Sequence, residues 1–268
     1  MSYKLVAVDM DDTLLDENQQ ISKKNREVIS SLLDQKINIV LASGRPYASL
    51  ATYADNLGVV LPLITANGSL IKCSLTDKIY HKLNLNLKYA QEILTYAQEY
   101  DYEISVYYED KIITNYSARA KLHRELKEVN NIVLDKNLEL ESDPIKLLLH
   151  HQEDEILEQG FKDLEDKYEE QLYITSAGVE SIEVMTQGAN KGNALTYIMN
   201  KLNIKPEEVI AIGNGDNDLP MFEVAGLAVA MGNSLEQVKQ QADFVTKSNQ
   251  QDGVAYALEK FILGDKNG

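Results

Sequence analysis

Two aspartates, Asp9 and Asp11, stand two residues apart at the end of an apolar run, in "VAVDMDDTLL". In an extended chain residues i and i+2 point to the same side, so their carboxylates converge on one point. Such a pair suits a hard divalent cation with oxygen ligands, or it is an acidic turn that ends a strand. Asp12 adds a third like charge, and carboxylates that close need a cation, a shared proton or open water. Further along, "ASGR" offers the Ser43 hydroxyl and the main-chain N–H groups of a turn at Gly44. These bind an oxyanion, or they merely turn a strand into a helix. Lys191, in "NKG", is a point charge fit for a phosphoryl group or a solvated helix start. "GNGDND", from Gly213 to Asp218, is a glycine-rich acidic loop that either handles a charged ligand or simply turns.

Regular elements must bring these segments together. "KLVAVD", "INIVLAS" and "LPLITAN" read as buried strands, with "SKKNREVISSLLDQK" a helix between the first two. Ser22 is its expected N-cap, and Val28, Ile29, Leu32 and Leu33 share one face. After residue 187 the same texture returns: "KGNALTYIMNKLN" helical, "VIAIGN" a strand, "DLPMFEVAG" a helix, "LAVAM" a strand, "SLEQVKQQA" a helix, "FVTKS" a strand and "GVAYALEKFIL" a helix. Apolar strands alternating with helices predict a parallel sheet covered on both faces. Such sheets bind ligands beyond the carboxyl ends of their strands, where the four polar segments fall.

Between them the texture changes. "EISVYYEDKIITN" predicts a hairpin near Asp110, and "LYITSAGVESIEVMT" two strands joined at Ala177-Gly178. "IKLLLHH" is a strand and "LKYAQEILTYAQEY" a helix, with a charged helix from Glu153 to about Glu169. Hairpins with helices indicate an α+β unit with an antiparallel sheet. The expected organisation is an α/β core of residues 1–82 and 188–268, with a Rossmann-like doubly wound parallel sheet, and an inserted α+β cap domain of residues 83–187.

Composition narrows the partners. The 268 residues carry a formal net charge of −16, which argues against nucleic-acid binding, since that needs Lys and Arg to neutralise phosphates. An anionic small substrate stays open, because a metal and a few local cations invert the field of one pocket. The lone Cys73 rules out an intrachain disulfide framework and a cysteine-rich zinc site. The four histidines match no zinc spacing. No signal-peptide pattern and no run of membrane-spanning length are visible, so a cytoplasmic protein with no membrane partner is expected.

"DMDDTLL", "ASGR", "NKG" and "GNGDNDLPM", in that order, resemble the four motifs of the haloacid dehalogenase-like (HAD) phosphatases. The inserted unit between the second and third resembles the large α+β (type IIB) cap of their Cof-type branch. The resemblance implies a Mg²⁺-dependent hydrolase of small phosphate monoesters, sugar phosphates foremost, working through an aspartyl phosphate. Asp9 would be the nucleophile, and Asp11 the acid and then the base. Ser43, Gly44, Lys191, Asn217 and the N–H of Met10 would hold phosphoryl oxygens. Asp9, the carbonyl of Asp11, Asn214 and Asp218 would hold Mg²⁺, with Asp216 the alternative to Asp218. Arg45 and the cap edge, "YYEDK" or "SAGVES", would meet the leaving group of a small phosphorylated metabolite. The protein would be a monomer or small homo-oligomer. Nine of the fifteen tyrosines fall in the insertion; they stack on a sugar ring or fill a core.

Two positions depart from the family pattern. Asp12 stands where glycine is usual, and Asn214 stands where an aspartate usually binds the metal. An amide oxygen ligates without charge, so weaker Mg²⁺ binding is expected. A phosphomutase shares the intermediate, and a weakly active regulator that only binds a phosphorylated ligand is the alternative from another class. Receiver domains also combine an acceptor Asp with Lys and Ser/Thr, but in about half this length.

Overall fold

The computed structural model describes residues 3–126, 128–176 and 181–264. The expected turn at Ala177-Gly178 lies outside these. Along the chain run β1 (Leu5–Asp9), α1 (Lys23–Asp34), β2 (Asn38–Ala42), α2 (Tyr47–Leu57), β3 (Leu63–Thr65), β4 (Leu70–Lys72) and β5 (Ile79–Lys82). Next come α3 (Leu87–Glu99), β6 (Glu103–Tyr107), β7 (Lys111–Thr114), α4 (Ser117–Glu125), β8 (Asn131–Leu134), β9 (Lys146–His150), α5 (Asp154–Tyr168), β10 (Leu172–Ser176) and β11 (Ser181–Thr186). The chain closes with α6 (Lys191–Leu202), β12 (Val209–Gly213), α7 (Leu219–Val224), β13 (Leu227–Ala230), α8 (Glu236–Lys239), β14 (Phe244–Val245) and α9 (Gly253–Leu258).

The fold is α/β. One sheet has the order β14-β13-β12-β1-β2-β3-β4-β5 and draws on both ends of the chain; the other, β10-β11-β9-β6-β7-β8, uses the strands between. Strands β14 to β3 of the first sheet run parallel. Their apolar residues pack on both faces, Val6, Val8, Leu41 and Ile212 on one side and Leu5, Ala7, Val40 and Ala211 on the other. This is why the strands lack alternation. The Ser22 Oγ accepts from the N–H of Asn25 at 3.0 Å and caps α1, whose Val28, Ile29 and Leu32 are buried.

Several elements differ from the sequence-based expectation. Strand β3 stops at Thr65 because Ala66 and Asn67 adopt left-handed φ of 47° and 53°, which breaks an extended run. Strands β4 and β5 add an antiparallel edge to an otherwise parallel sheet. Strand β8 pairs parallel with β7, so the second sheet is mixed rather than antiparallel throughout. Both β5 and β8 are mostly exposed and so carry no hydrophobic pattern to announce them. The helix expected over "SLEQVKQQA" shrinks to the four residues of α8. Among the described residues no helix is long and apolar enough to cross a membrane.

Candidate active site

Strand β1 lies between β2 and β12, where the two wings of the sheet diverge. Asp9 is its last residue, paired with Ala42 of β2; Ser43 follows Ala42, and Gly213 ends β12. The carboxyl end of β1 is thus the crevice that open α/β sheets use for ligands. A cleft of about 620 Å³ opens there, and its walls include Asp9, Asp11, Gly44, Arg45, Asn214 and Asn217.

Lys191 is the innermost charge. It is the first residue of α6, whose N-cap Asn190 accepts from the N–H of Asn193 at 2.8 Å. A Cβ at Gly192 would come within 2.0 Å of the Pro220 carbonyl oxygen, so only glycine lets α6 approach α7 this closely. The wholly buried Lys191 Nζ donates to Asp9 Oδ1 at 2.7 Å and to Asp218 Oδ1 at 2.6 Å. Two carboxylates therefore share one ammonium away from water. Burial, reinforced by the charges of Asp218 and Asp11, pushes the Asp9 carboxyl up to about 7 against the opposing pull of Lys191. Burial alone would lower Lys191, but Asp218 and Asp9 outweigh it and hold the ammonium above its ordinary range. The cluster is short of positive charge.

Asp11 lies in the turn just beyond Asp9, and Asp12 follows with φ 56°. That left-handed value explains why glycine is the usual residue there; aspartate is one of the few others that adopts it readily. The Asn214 side chain reaches into the same turn. Its oxygen accepts from Thr13 Oγ1 at 2.8 Å while facing Asp9 Oδ2 at 3.1 Å and the Asp11 carbonyl oxygen at 2.8 Å. An oxygen aimed at other oxygens calls for a cation among them, and these edges are close to the ~3 Å expected between ligands set at about 2.1 Å from Mg²⁺. Turned over, the amide would instead present its two N–H donors to these oxygens, the orientation that satisfies the hydrogen bonds without a cation. The donor set fits a small hard cation, but with little charge. Among the described residues no three acidic, histidine or cysteine side chains form a metal cluster.

Asp218, expected to share that cation, is engaged elsewhere. Its Oδ1 takes Lys191, and its Oδ2 accepts from the N–H groups of Asn214 and Gly215 at 2.8 and 3.0 Å, with no exposure at all. A Cβ at Gly213 would collide with its carboxylate at 2.4 Å. Asp218 therefore shapes the loop and anchors Lys191 from behind. Asp216 does line the cleft, where it accepts from the Gln237 amide and, at 3.4 Å, from the Ser176 hydroxyl.

Ser43 is buried beside Asp9 and accepts the Arg45 N–H at 3.1 Å. Arg45, expected to face the leaving group, instead grips both carboxylate oxygens of Asp11, with Nε to Oδ2 at 2.8 Å. Gln19 accepts from the same Nη2 that meets Asp11, and Ser49 accepts from Nη1 at 3.2 Å. Met10 is fully buried in the turn after Asp9. Asn217 donates to Asn67 Oδ1 at 3.1 Å, and Asn67 Nδ2 donates to Glu183 of the second sheet. Of "YYEDK" only Tyr107 lines the cleft; Glu109 instead joins Lys72 and Lys82 at 3.2 and 3.1 Å. Tyr102 and Tyr168 are core, and most of "SAGVES" lies outside the described residues.

Sequence reasoning missed Asn67, Lys146 and Glu183, all buried at the cleft or its junction. The signal for two of them was present: a lysine in "IKLLLHH" and a glutamate in "SIEVMT" interrupt apolar strands.

Comparison with known proteins gives concordant results. A family described as haloacid dehalogenase-like hydrolase matches residues 6–258. A 5-amino-6-(5-phospho-D-ribitylamino)uracil phosphatase of Bacillus subtilis is 34% identical, covering 98% of this chain and 97% of its own. A haloacid dehalogenase-like hydrolase structure from B. subtilis superposes with TM-score 0.87 at 27% identity, over 97% of this chain and 100% of that one. A subclass IIB sugar phosphatase of the same superfamily shares the fold with TM-score 0.84 at 22% identity, over 96% and 98% of the two chains.

Proposed function

The chain belongs to the haloacid dehalogenase-like hydrolases and is a phosphatase of that family, and on that premise we propose that it hydrolyses small phosphate monoesters, sugar phosphates foremost, through a phosphorylated Asp9. The observation that carries this reading is Lys191 Nζ set between Asp9 and Asp218 at 2.7 and 2.6 Å, at the carboxyl end of β1.

In the first step an Asp9 oxygen attacks phosphorus, and the bond from phosphorus to the ester oxygen breaks. Asp11, once turned from Arg45 and protonated, gives that proton to the departing alkoxide. In the second step Asp11 takes a proton from water as that water attacks the aspartyl phosphate, releasing phosphate and restoring Asp9. Lys191, Ser43, Asn217 and the N–H groups of Met10 and Gly44 hold the phosphoryl oxygens, so that catalysis is largely positioning and electrostatics. Arg45 acts as a positioning residue for Asp11. Asp9, the Asp11 carbonyl and Asn214 are the residues that would hold Mg²⁺. When bound, the ion neutralises charge on the transferring group. Residues 83–187 are the cap that meets the leaving group. The net charge of −16 supports a small phosphorylated metabolite, not nucleic acid, as partner.

A second reading, a weakly active binder of phosphorylated ligands, is favoured by one observation: the turned-over Asn214 amide would fill the cation position with its own N–H donors. A screen of phosphate esters with Mg²⁺ separates the two, and the compound named for the Bacillus relative belongs in it. The phosphatase reading expects steady phosphate release, abolished by chelator and restored by Mg²⁺. Binding without release would support the second reading. Label retained from a doubly phosphorylated sugar would indicate a mutase.

A further inference from the structure

The side of the second sheet that faces the cleft is a wall carrying Tyr107, Lys146 and Glu183. Its ion pair is closed: Lys146 Nζ donates to Glu183 and, at 2.9 Å, to the carbonyl oxygen of Gly44. Glu128, which follows α4, lines the same cleft, and a buried polar chain aims its carboxylate. Thr114 Oγ1 donates to the Ile104 carbonyl oxygen at 2.7 Å and accepts from Ser105 Oγ at 3.2 Å. Ser105 is thereby left to accept from His123 Nε2 at 2.9 Å, and His123 Nδ1 lies 2.6 Å from Glu128 Oε2. The Glu128 N–H also donates to the His123 carbonyl oxygen at 3.2 Å. Ser105, Thr114 and His123 are at most 2% exposed, and the Tyr107 ring packs edge-on against the imidazole. A fully satisfied polar network in a dry interior fixes one geometry. Here the geometry it fixes is that of Glu128.

Arg45 lines the same cleft, with its side chain 11% exposed. It grips Asp11 through two nitrogens, although the Asp11 side chain is 44% exposed and lies in a turn. Proton transfer requires Asp11 to turn away. Arg45 would then be a nearly buried cation with only the neutral Gln19 and Ser49 as partners, and a buried charge stripped of its counter-ion is costly. Most other carboxylates of the lining are engaged: Asp9 by Lys191, Glu183 by Lys146 and Asp216 by Gln237. Asp12 is exposed in the turn itself. Glu128 has one oxygen on His123, and a carboxylate accepts at about four sites. It is also near enough to act on the guanidinium. Burial disfavours the Arg45 charge, but Asp11, Tyr53 and Glu128 hold it above its ordinary range.

We propose that Glu128, aimed by His123, takes over the Arg45 guanidinium when Asp11 leaves it, and is thus the positioning residue that frees Asp11 for proton transfer. Resting on the phosphatase reading above, this gives the second sheet a part in the reaction beyond meeting the leaving group. No covalent bond changes in the exchange: one guanidinium passes from a carboxylate of the turn to a carboxylate of the wall.

p-Nitrophenyl phosphate with Mg²⁺ tests it, because p-nitrophenolate leaves without a proton from Asp11 while the second step still needs Asp11 as base. Glu128→Gln should keep the first-turnover burst of p-nitrophenolate and lower the steady rate by about tenfold or more, with KM not raised. A merely structural role would lower burst and steady rate together. In an Arg45→Met background, where nothing holds Asp11 back, Glu128→Gln should change the steady rate by no more than about twofold. Should Glu128→Gln fail to fold, Glu128→Asp, which keeps the charge but shortens the reach, runs the same cycle. An unchanged steady rate, a burst lost in parallel, or an equal loss in the Arg45→Met background overturns the proposal. If another ester of the screen is the one turned over, the Arg45 cycle is read on that ester. Failure of the unmodified protein to release phosphate from any ester topples the phosphatase reading and this inference with it, whereas turnover with additive losses topples only the inference.

Discussion

Among the described residues a lysine is buried against carboxylate in two places, and the two differ in their arithmetic. In the first sheet Lys191 faces two acids, Asp9 and Asp218; in the second Lys146 faces one, Glu183. The balanced pair needs nothing further and serves as wall. The unbalanced cluster holds Asp9 at about 7, an excess of negative charge that a cation relieves. The same chemistry thus yields a charge-matched surface in one region and a site short of positive charge in the other, and the stoichiometry of charge decides which.

The sharpest way to break this contrast is Asp9→Asn. Turnover should fall by about 10³ or more, since an amide cannot take the phosphoryl group; an active Asn variant would refute the role. Yet the metal-free fold should gain stability. The folded carboxyl at about 7 lies above its ordinary 3.8, so the native state binds the extra proton, and metal-free wild type loses stability as pH rises from about 4 to 7. Asp9→Asn should flatten that slope and raise Tm at pH 7.5, by an amount a thermal melt in chelator reads.

Lys191→Met comes next. It strands two buried carboxylates and should cost about 3–5 kcal/mol in urea unfolding. Lys146→Met strands one and should cost less. The double change Lys146→Met with Glu183→Leu should recover most of that loss, to within about 1 kcal/mol of wild type, because apolar pairs replace buried ion pairs well. Lys191→Met with Asp218→Leu should not recover, because Asp9 stays unpaired and the N–H groups of Asn214 and Gly215 lose their acceptor. Equal recovery in both would erase the distinction between the regions. The smallest effect is Asn214→Asp, which should tighten Mg²⁺ about tenfold in a calorimetric titration; unchanged affinity would mean that residue 214 is no ligand.

Much of the Asp9 region was legible in the sequence because its parts are local. Asp9 ends an apolar strand, Lys191 opens a capped helix, and Gly213 to Asp218 form one loop, so each segment carries its own signature. What a side chain faces once folded is not local. Nothing in "GNGDND" says that Asp218 turns inward to Lys191 while Asn214 turns out to Asp9, and nothing beside Arg45 says that it grips Asp11. The wall was harder still. Lys146 and Glu183 lie 37 positions apart and touch only because β9 pairs with β11. Strands β5 and β8, exposed along most of their length, left no hydrophobic rhythm to read.

That Lys146 and Glu183 are borne by neighbouring strands of one sheet matters for how a solute gets in. Should the two sheets swing apart, neither ion would be stripped of its counter-ion; they would leave together as a neutral couple. For this pair, only the dipolar joints to Gly44 and Asn67 would have to be exchanged for water. At this wall, admission of substrate and escape of phosphate can therefore proceed without baring a lone charge, whereas the Glu109 pairs with Lys72 and Lys82 would have to part.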